Sequence, residues 1–370
     1  MENEKHGLVK VESDIVAKGD RLLALTNKVL APYYAEIRNW WNSLDGDWKL
    51  DFIPHWVDEE EIPHELLKQG KIFNRKRLSQ DASEWEIILD EKGNLIREPW
   101  DFELERIILT RNLSISEGHQ DLQPLKMLQN LRDLGGNMNR SLRELSGIEE
   151  LTTLREIDLR WSRISDLEAL RNLTKLEKLN FYDSDIKNLD PLYYLHELTD
   201  LNIGSAFGLT DLSPLSNLSN LFTLNCSSLS DTDNRIDFSP ISKLPSLEKL
   251  RCEGNYIENL DFLKDLRMLE WLNLENTFFP NSDTTPLGNL KNLIRLRLSH
   301  TNVNDISPLV DLPTLEYLWV EKTQIPEIKI QAFSKTNPNC TIILEDKTFI
   351  DGTTVFYRDS MLRHEKLILN

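Results

Sequence analysis

The spacing LxxLxLxx returns along most of this chain and leaves few folds open. It reads Leu154-Ile157-Leu159, Leu176-Leu179-Phe181, Leu198-Leu201-Ile203 and Leu221-Leu224-Cys226. It continues as Leu247-Leu250-Cys252, Leu269-Leu272-Leu274, Leu293-Leu296-Leu298 and Leu315-Leu318-Val320. Upstream, Leu131-Leu134-Gly136 and Leu104-Ile107-Leu109 fit more loosely. Starts fall mostly 22 or 23 residues apart, with longer units after Leu104, Leu221 and Leu269. A unit this short holds one strand and a compact return. It cannot bury its apolar face alone, so successive units must stack.

Each unit carries a second signature, such as "DLQPLKML", "NLDPLYYL", "DLSPLSNL" or "DISPLVDL". Proline there allows a turn or one turn of 3₁₀ helix and disfavours a long helix. Between strand and return stands a small polar residue: Asn139, Ser162, Ser184, Asn255, Thr277, Thr301 or Thr323. Backbone groups that leave the sheet lose their partners, and a polar side chain stacked in every unit can supply them. Ala206 and Leu229 interrupt that column, so bonding there is expected to be weaker or differently arranged.

With the pattern best seen in "LIRLRLSHTNVNDISPLVDL" (293–312), the chain resembles bacterial leucine-rich-repeat proteins of the 22-residue, internalin-like and SDS22-like class over about residues 104–344. The stretch "IPEIKIQAFSKTNPNCTI" (325–342) looks like the closing unit of such proteins. The resemblance implies an α/β solenoid: a curved, right-handed parallel sheet with short 3₁₀ or irregular returns on its convex side. It implies binding through the curved sheet and names no partner.

The ends need caps, because terminal units expose apolar faces. Residues 1–103 hold Trp40, Trp41, Trp48, Trp56, Trp85 and Trp100, and are expected to form an N-terminal helical or α+β capping subdomain. Within it, Ser13 to Leu44 has helical periodicity with Pro32 as a divide, and residues 84–100 read as two strands around Gly93-Asn94. About ten coils should follow over 104–344, then a C-terminal cap over 345–370 with a turn at Asp351-Gly352.

The formal charge of −18 argues against general binding to nucleic acid or anionic membrane, which relies on Lys and Arg. The start of the chain has no basic segment followed by an apolar run, which reads as cytoplasmic, or as secreted if a leader has been removed. Cys226, Cys252 and Cys340 match neither a disulfide framework nor a zinc spacing, and are expected to be buried thiols. "DTDNRID" (231–237) only faintly resembles a calcium loop, with Ile236 and Ser242 where glycine and glutamate belong. No motif assembles a nucleophile, a base and an orienting group, so the expectation is a non-enzyme without cofactor or metal.

The repeat phase sorts the strand residues that point away from the leucines. Early coils collect Asp133, Glu156, Asp158, Asp200 and Asn202. Later coils collect Lys249, Arg251, Arg295 and Arg297 around Trp271, Tyr317 and Trp319, with Glu253, Glu275 and Glu321 alongside. Tyr, Trp and Arg are the residues most enriched at binding hot spots. Those seven cationic and aromatic residues are the candidate site for a protein partner, in a scaffold, adaptor or receptor-like subunit. For Tyr317 and Trp319 the competing expectation is that they pack beneath the C-terminal cap. Phe278-Phe279 should send one ring inward and leave the other at the edge. A second functional reading is an inhibitor or immunity protein whose acidic early coils block a partner enzyme. A third places enzymatic or nucleic-acid-binding activity in residues 1–103, where Arg75, Lys76 and Arg77 lie.

Overall fold

The computed structural model describes residues 32–56, 98–99, 101–136, 138–345, 347–350 and 353–356. Two compact units divide between Thr110 and Arg111. In the second, the predicted period becomes a strand of three residues in each coil. These are β1 (Asn112–Ser114), β2 (Asp133–Gly135), β3 (Glu156–Asp158), β4 (Lys178–Asn180), β5 (Asp200–Asn202) and β6 (Thr223–Asn225). The row continues with β7 (Lys249–Arg251), β8 (Trp271–Asn273), β9 (Arg295–Arg297), β10 (Tyr317–Trp319) and β11 (Thr341–Ile343). Each pairs in parallel with the next, and a hairpin of β12 (Lys347–Ile350) and β13 (Thr353–Phe356) extends the sheet antiparallel beyond β11. The central leucines lie in one register, so Leu224, Leu250, Leu272 and Leu296 stack as one buried row. Full burial of a leucine stabilises by about 1.5–3 kcal/mol, and here each coil obtains it only between two neighbours.

The loosest of the sequence matches does not hold. Leu104, Ile107 and Leu109 were aligned as a strand, but Asp101–Ile108 is α-helical and the first strand is β1. Leu104, Ile107 and Ile108 are buried together at the i, i+3, i+4 spacing of a helix face, which a leucine count alone does not separate from LxxL.

Eight of the nine convex returns that follow β1 to β9 are 3₁₀ turns, from Gln123–Met127 to Ser307–Leu309. All eight begin the same way. A carboxylate or amide oxygen accepts the N–H two residues on: Asp121 from Gln123, Asp166 from Glu168, Asn188 from Asp190 and Asp211 from Ser213. Asp237, Asn259, Asp283 and Asp305 repeat it at 2.8–3.2 Å. This is the physical content of the leading Asp in "DLSPL": an Asx turn that redirects the chain before proline fixes φ. The hydroxyl and N–H of Ser213 hold the Asp211 carboxyl below its ordinary range, and those of Thr285 do the same for Asp283. A depressed folded-state value gives stability that is present above the unfolded value, about 3.9, and is lost as pH falls through the folded one. Replacing both Asp211 and Asp283 by asparagine, the residue at 188 and 259, keeps the acceptor and removes the titration. Acid unfolding followed by circular dichroism should then move to lower pH with little change at pH 7. An unmoved midpoint would refute this role.

Each strand from β2 to β10 leaves the sheet through one left-handed residue: Met138, Trp161, Asp183, Ser205, Ser228, Gly254, Asn276, His300 and Lys322, with φ between 51° and 70°. The polar column follows immediately. Thr301 Oγ1 donates to Leu298 O at 2.6 Å, and Ser184 and Thr323 repeat the bond at 2.7 and 2.9 Å. At the interruption by Leu229 the bonding is rearranged as expected: Asn255 of the next coil accepts the Leu229 and Ser230 N–H groups. Ser162 departs from the expectation, its buried hydroxyl having no partner. Cys226 and Cys252 sit in the inward row with sulfurs 3.3 Å apart, and all three cysteines are free and buried. Burial pushes the Cys252 thiol well up and that of Cys340 up to about 12, so neither forms a thiolate at neutral pH.

The first unit has an aromatic core of its own. Residues 32–43 and Gly46–Trp56 are helical. Trp40 and Trp48 lie 5.4 and 6.0 Å from the Phe52 ring, with Trp41 edge-on to Trp40. The Trp41 indole N–H donates to Glu98, whose other oxygen meets Lys49 Nζ at 3.2 Å. The expected strands at 84–100 apart from Glu98 and Pro99, the Arg75–Arg77 cluster, Trp85, Trp100, the helical pattern before Pro32 and the Asp351-Gly352 turn lie outside the described residues.

Candidate functional site

Three columns of side chains rise from the concave face of the sheet. The first runs Lys249, Trp271, Arg295, Tyr317 across β7 to β10, and the second Arg251, Asn273, Arg297, Trp319. Adjacent parallel strands are about 4.8 Å apart, so a long side chain reaches the ring of the next coil. Every late-coil arginine does so. The guanidinium of Arg251 lies 5.9 Å from the Trp271 ring, that of Arg295 5.7 Å from Tyr317, and that of Arg297 4.8 Å from Trp319. Tyr317 and Trp319 stack on each other at 5.9 Å with 26° between planes. Lys249 Nζ sits 5.4 Å over Phe222. All seven predicted residues therefore share one continuous surface.

The third column sets the boundary. Glu253 pairs with Arg251, and Glu275 Oε2 lies 3.7 Å from Arg297 Nη1. Glu321 accepts the Ser299 hydroxyl at 3.4 Å. Two buried polar atoms in this band, Arg297 Nε and Glu253 Oε2, have no hydrogen-bond partner. Stacking and these ion pairs fix the arginine planes before any partner arrives. Tyr317 and Trp319 are half-buried, and β11 continues the sheet beyond them.

The early coils are less acidic than their composition implies. Lys178 Nζ meets Glu156 at 2.6 Å, and Arg160 closes a two-pronged pair onto Asp158. Burial, then the neighbouring Glu156, raises the Asp133 carboxyl above its ordinary range. The second column there is committed to the fold, since Asn180, Asn202 and Asn225 each accept the N–H two residues on at 3.0–3.2 Å, as Asn273 does in the later coils. Sequence sorting also missed Trp161. It stands one residue past the columns at a left-handed position, edge-on to Tyr182 at 6.3 Å, with Arg160 5.6 Å away. Only an unexplained tryptophan beside arginine signalled it.

Elsewhere the chemistry is structural. A cleft of about 1040 Å³ on the flank of the early coils is crossed by Arg140–Asp183 at 2.6 Å and Arg163–Asp185 at 3.6 Å. Asp231, from the stretch with a faint calcium-loop spacing, accepts the N–H groups of Asp233 and Asn234 instead. Phe279 is buried, while Phe278 is 48% exposed with its ring tilted against Tyr256 at 5.7 Å, which settles the inward and edge roles of that pair. Among the described residues no group of three or more His, Cys, Asp or Glu could hold a metal, and no helix is long and apolar enough to cross a membrane.

No protein-family model and no curated protein matches the chain. Among solved structures it is similar to TLR13 in complex with ssRNA13, at 20% identity over 63% of this chain and 36% of that one, with a TM-score of 0.53. The fold is a leucine-rich-repeat solenoid. An internalin of Listeria monocytogenes, InlF, is 24% identical over 65% of this chain and 81% of its own, with a TM-score of 0.48. A leucine-rich-repeat protein of Leptospira interrogans is 21% identical over 65% and 80%, with a TM-score of 0.39. At these identities the likeness is one of fold, and the leucine-rich-repeat solenoid of this chain presents its own set of concave side chains.

Proposed function

We propose that this solenoid recognises a protein partner through the concave face of its late coils and does no chemistry there, serving as scaffold, adaptor or receptor-like subunit. The observation that carries the reading is the row of guanidinium-on-ring stacks at Arg251–Trp271, Arg295–Tyr317 and Arg297–Trp319. The repeat needs only its leucines, asparagines and turn residues, so three tryptophan or tyrosine rings and three arginines on the outer face lie beyond what the fold requires. Such rings give large contact area at low entropy cost, and the arginines add directional donors. The inhibitor reading built on acidic early coils is weaker, because Lys178 and Arg160 neutralise Glu156 and Asp158 in place.

Affinity capture from the source cell with wild type beside a Trp271→Ala/Arg297→Ala variant tests the proposal. Two central hot-spot residues are each worth roughly 2 kcal/mol or more, so partner affinity should fall at least about 100-fold. Both side chains are on the solvent side of the sheet, and the thermal unfolding curve should keep its shape. Undiminished capture would overturn the proposal.

A further inference from the structure

We propose that Cys226 and Cys252 form a modification site, at which a peroxide closes a reversible disulfide between the β6 and β7 coils. The inward position after each central leucine or isoleucine reads Leu159, Phe181, Ile203, Cys226, Cys252, Leu274, Leu298 and Val320. Its two cysteines therefore fall on adjacent coils. Strands β6 and β7 stay in register as far as Asn225 and Arg251, and the cysteines come next. Adjacent parallel strands are about 4.8 Å apart, inside the roughly 4.4–6.8 Å between Cα atoms that a disulfide spans. The sulfurs lie 3.3 Å apart, so each needs to move by only about 0.6 Å to reach bonding distance.

Both backbones are held in place for this. The Asn255 amide donates to Cys226 O at 3.0 Å and to Cys252 O at 2.8 Å, so one side chain ties the two residues together. The Cys226 N–H donates to Arg251 O and the Cys252 N–H to Asn273 O, both at 2.9 Å. The Cys226 S–H also donates to Arg251 O at 3.3 Å, which turns its sulfur toward the β7 coil. Such fixed proximity gives the second thiol a high effective concentration. No cysteine stands on the coil beside Cys340, which is buried without that opportunity. In the reaction one sulfur, as its thiolate, attacks a peroxide oxygen; the O–O bond breaks, a sulfenic acid forms and water leaves. The other sulfur attacks that acid, the S–O bond breaks and a second water leaves. Two thiols lose two electrons and two protons, and the peroxide takes up both. Burial keeps Cys252 protonated, so the pair stays reduced until an oxidant small enough to enter through a local opening arrives. The bond would lock the coil whose polar column breaks at Leu229 to the coil that carries Lys249 and Arg251.

The test treats the full chain, purified under dithiothreitol, with hydrogen peroxide while circular dichroism confirms that it stays folded. Alkylation under denaturing conditions and mass spectrometry then count and map the thiols. The expected product is lighter by two hydrogens and keeps one alkylatable thiol, at Cys340, where the reduced chain has three. Trypsin should release the Cys226 and Cys252 segments as one linked fragment, which dithiothreitol separates. Cys226→Ser should form no link within the chain under the same treatment. Wild-type mapping decides the matter even if that variant folds poorly. Three surviving thiols would mean that the pair is packing alone, and would overturn the proposal. Sulfinic or sulfonic acid at either cysteine without a link, or a link through Cys340 or to a second chain, would overturn it as well.

Discussion

Replacing Asn255 by alanine is expected to remove about 3–5 kcal/mol of stability, far more than removing a hydroxyl at a serine or threonine of the polar column. Its amide nitrogen donates to Cys226 O at 3.0 Å and to Cys252 O at 2.8 Å. Its oxygen accepts from Leu229 N at 2.7 Å and Ser230 N at 2.9 Å. The side chain is 3% exposed, so water cannot replace these bonds. In the alanine variant Cys252 O keeps the Thr277 hydroxyl and Ser230 Oγ keeps Tyr256 O, while the Leu229 and Ser230 N–H groups lose their acceptor. Each buried donor left without a partner costs about 1–3 kcal/mol. Thr301→Ala is the control, because its hydroxyl serves the single carbonyl of Leu298, and the expected loss is about 1 kcal/mol. Urea unfolding followed by circular dichroism measures both. Equal losses would show that Asn255 does not serve two coils at once. The variant should also broaden the transition, since it weakens one interface in a stack held by neighbours.

The same residue shows what the sequence could and could not disclose. The period fixed which residues become strands, because a buried leucine row tolerates no slip of register. The columns that follow from that phase are the columns in the structure, and Asn255 stood in its predicted place. Its double duty was not legible, since it depends on Leu229 of the preceding coil lacking a polar group. Position 229 as an interruption and position 255 as the repair are separate facts until the coils are stacked. The charge pairing of the early coils was closer to the surface. Glu156 and Lys178 are one repeat apart and therefore adjacent across the sheet, which predicts their ion pair from numbering alone. Reading Asp133, Glu156, Asp158 and Asp200 by sign, without their neighbours, gave too acidic a zone. The left-handed turn residues carry no common side chain, from Trp161 to Lys322, so nothing in composition marks them. At Leu104 the pattern itself was ambiguous, because LxxL with a following Ile108 suits a helix face as well as a strand.

One coil departs from the others, and its departure makes the second large prediction. The return of the β2 coil reads "ELSGIEEL" (144–151), with Gly147 where Pro214 stands in "DLSPLSNL". It forms no 3₁₀ turn. Gly147 has φ +111°, which proline's ring forbids and other L-residues rarely reach. A Cβ there would lie 2.2 Å from Leu122 O and 2.5 Å from Leu122 C and Gln123 Cα, all backbone atoms of the preceding return. The two segments are also joined by a bond from Leu122 N to Ser146 O at 3.0 Å, so neither can retreat without breaking it. Gly118 supplies the comparison, because it has φ +110° but nothing within 4 Å of a built Cβ. Gly118→Ala therefore measures the conformational strain alone, about 1–3 kcal/mol. Gly147→Ala adds a backbone collision that no rotamer relieves, and should cost more than about 4 kcal/mol and open the coils around β1 and β2 first. Hydrogen exchange would show that order as lost protection at Leu122, Leu125 and Leu128 while the amides near β9 stay protected. If the two alanine variants lose the same stability, close approach at Gly147 contributes nothing and its dihedral angle alone explains the glycine.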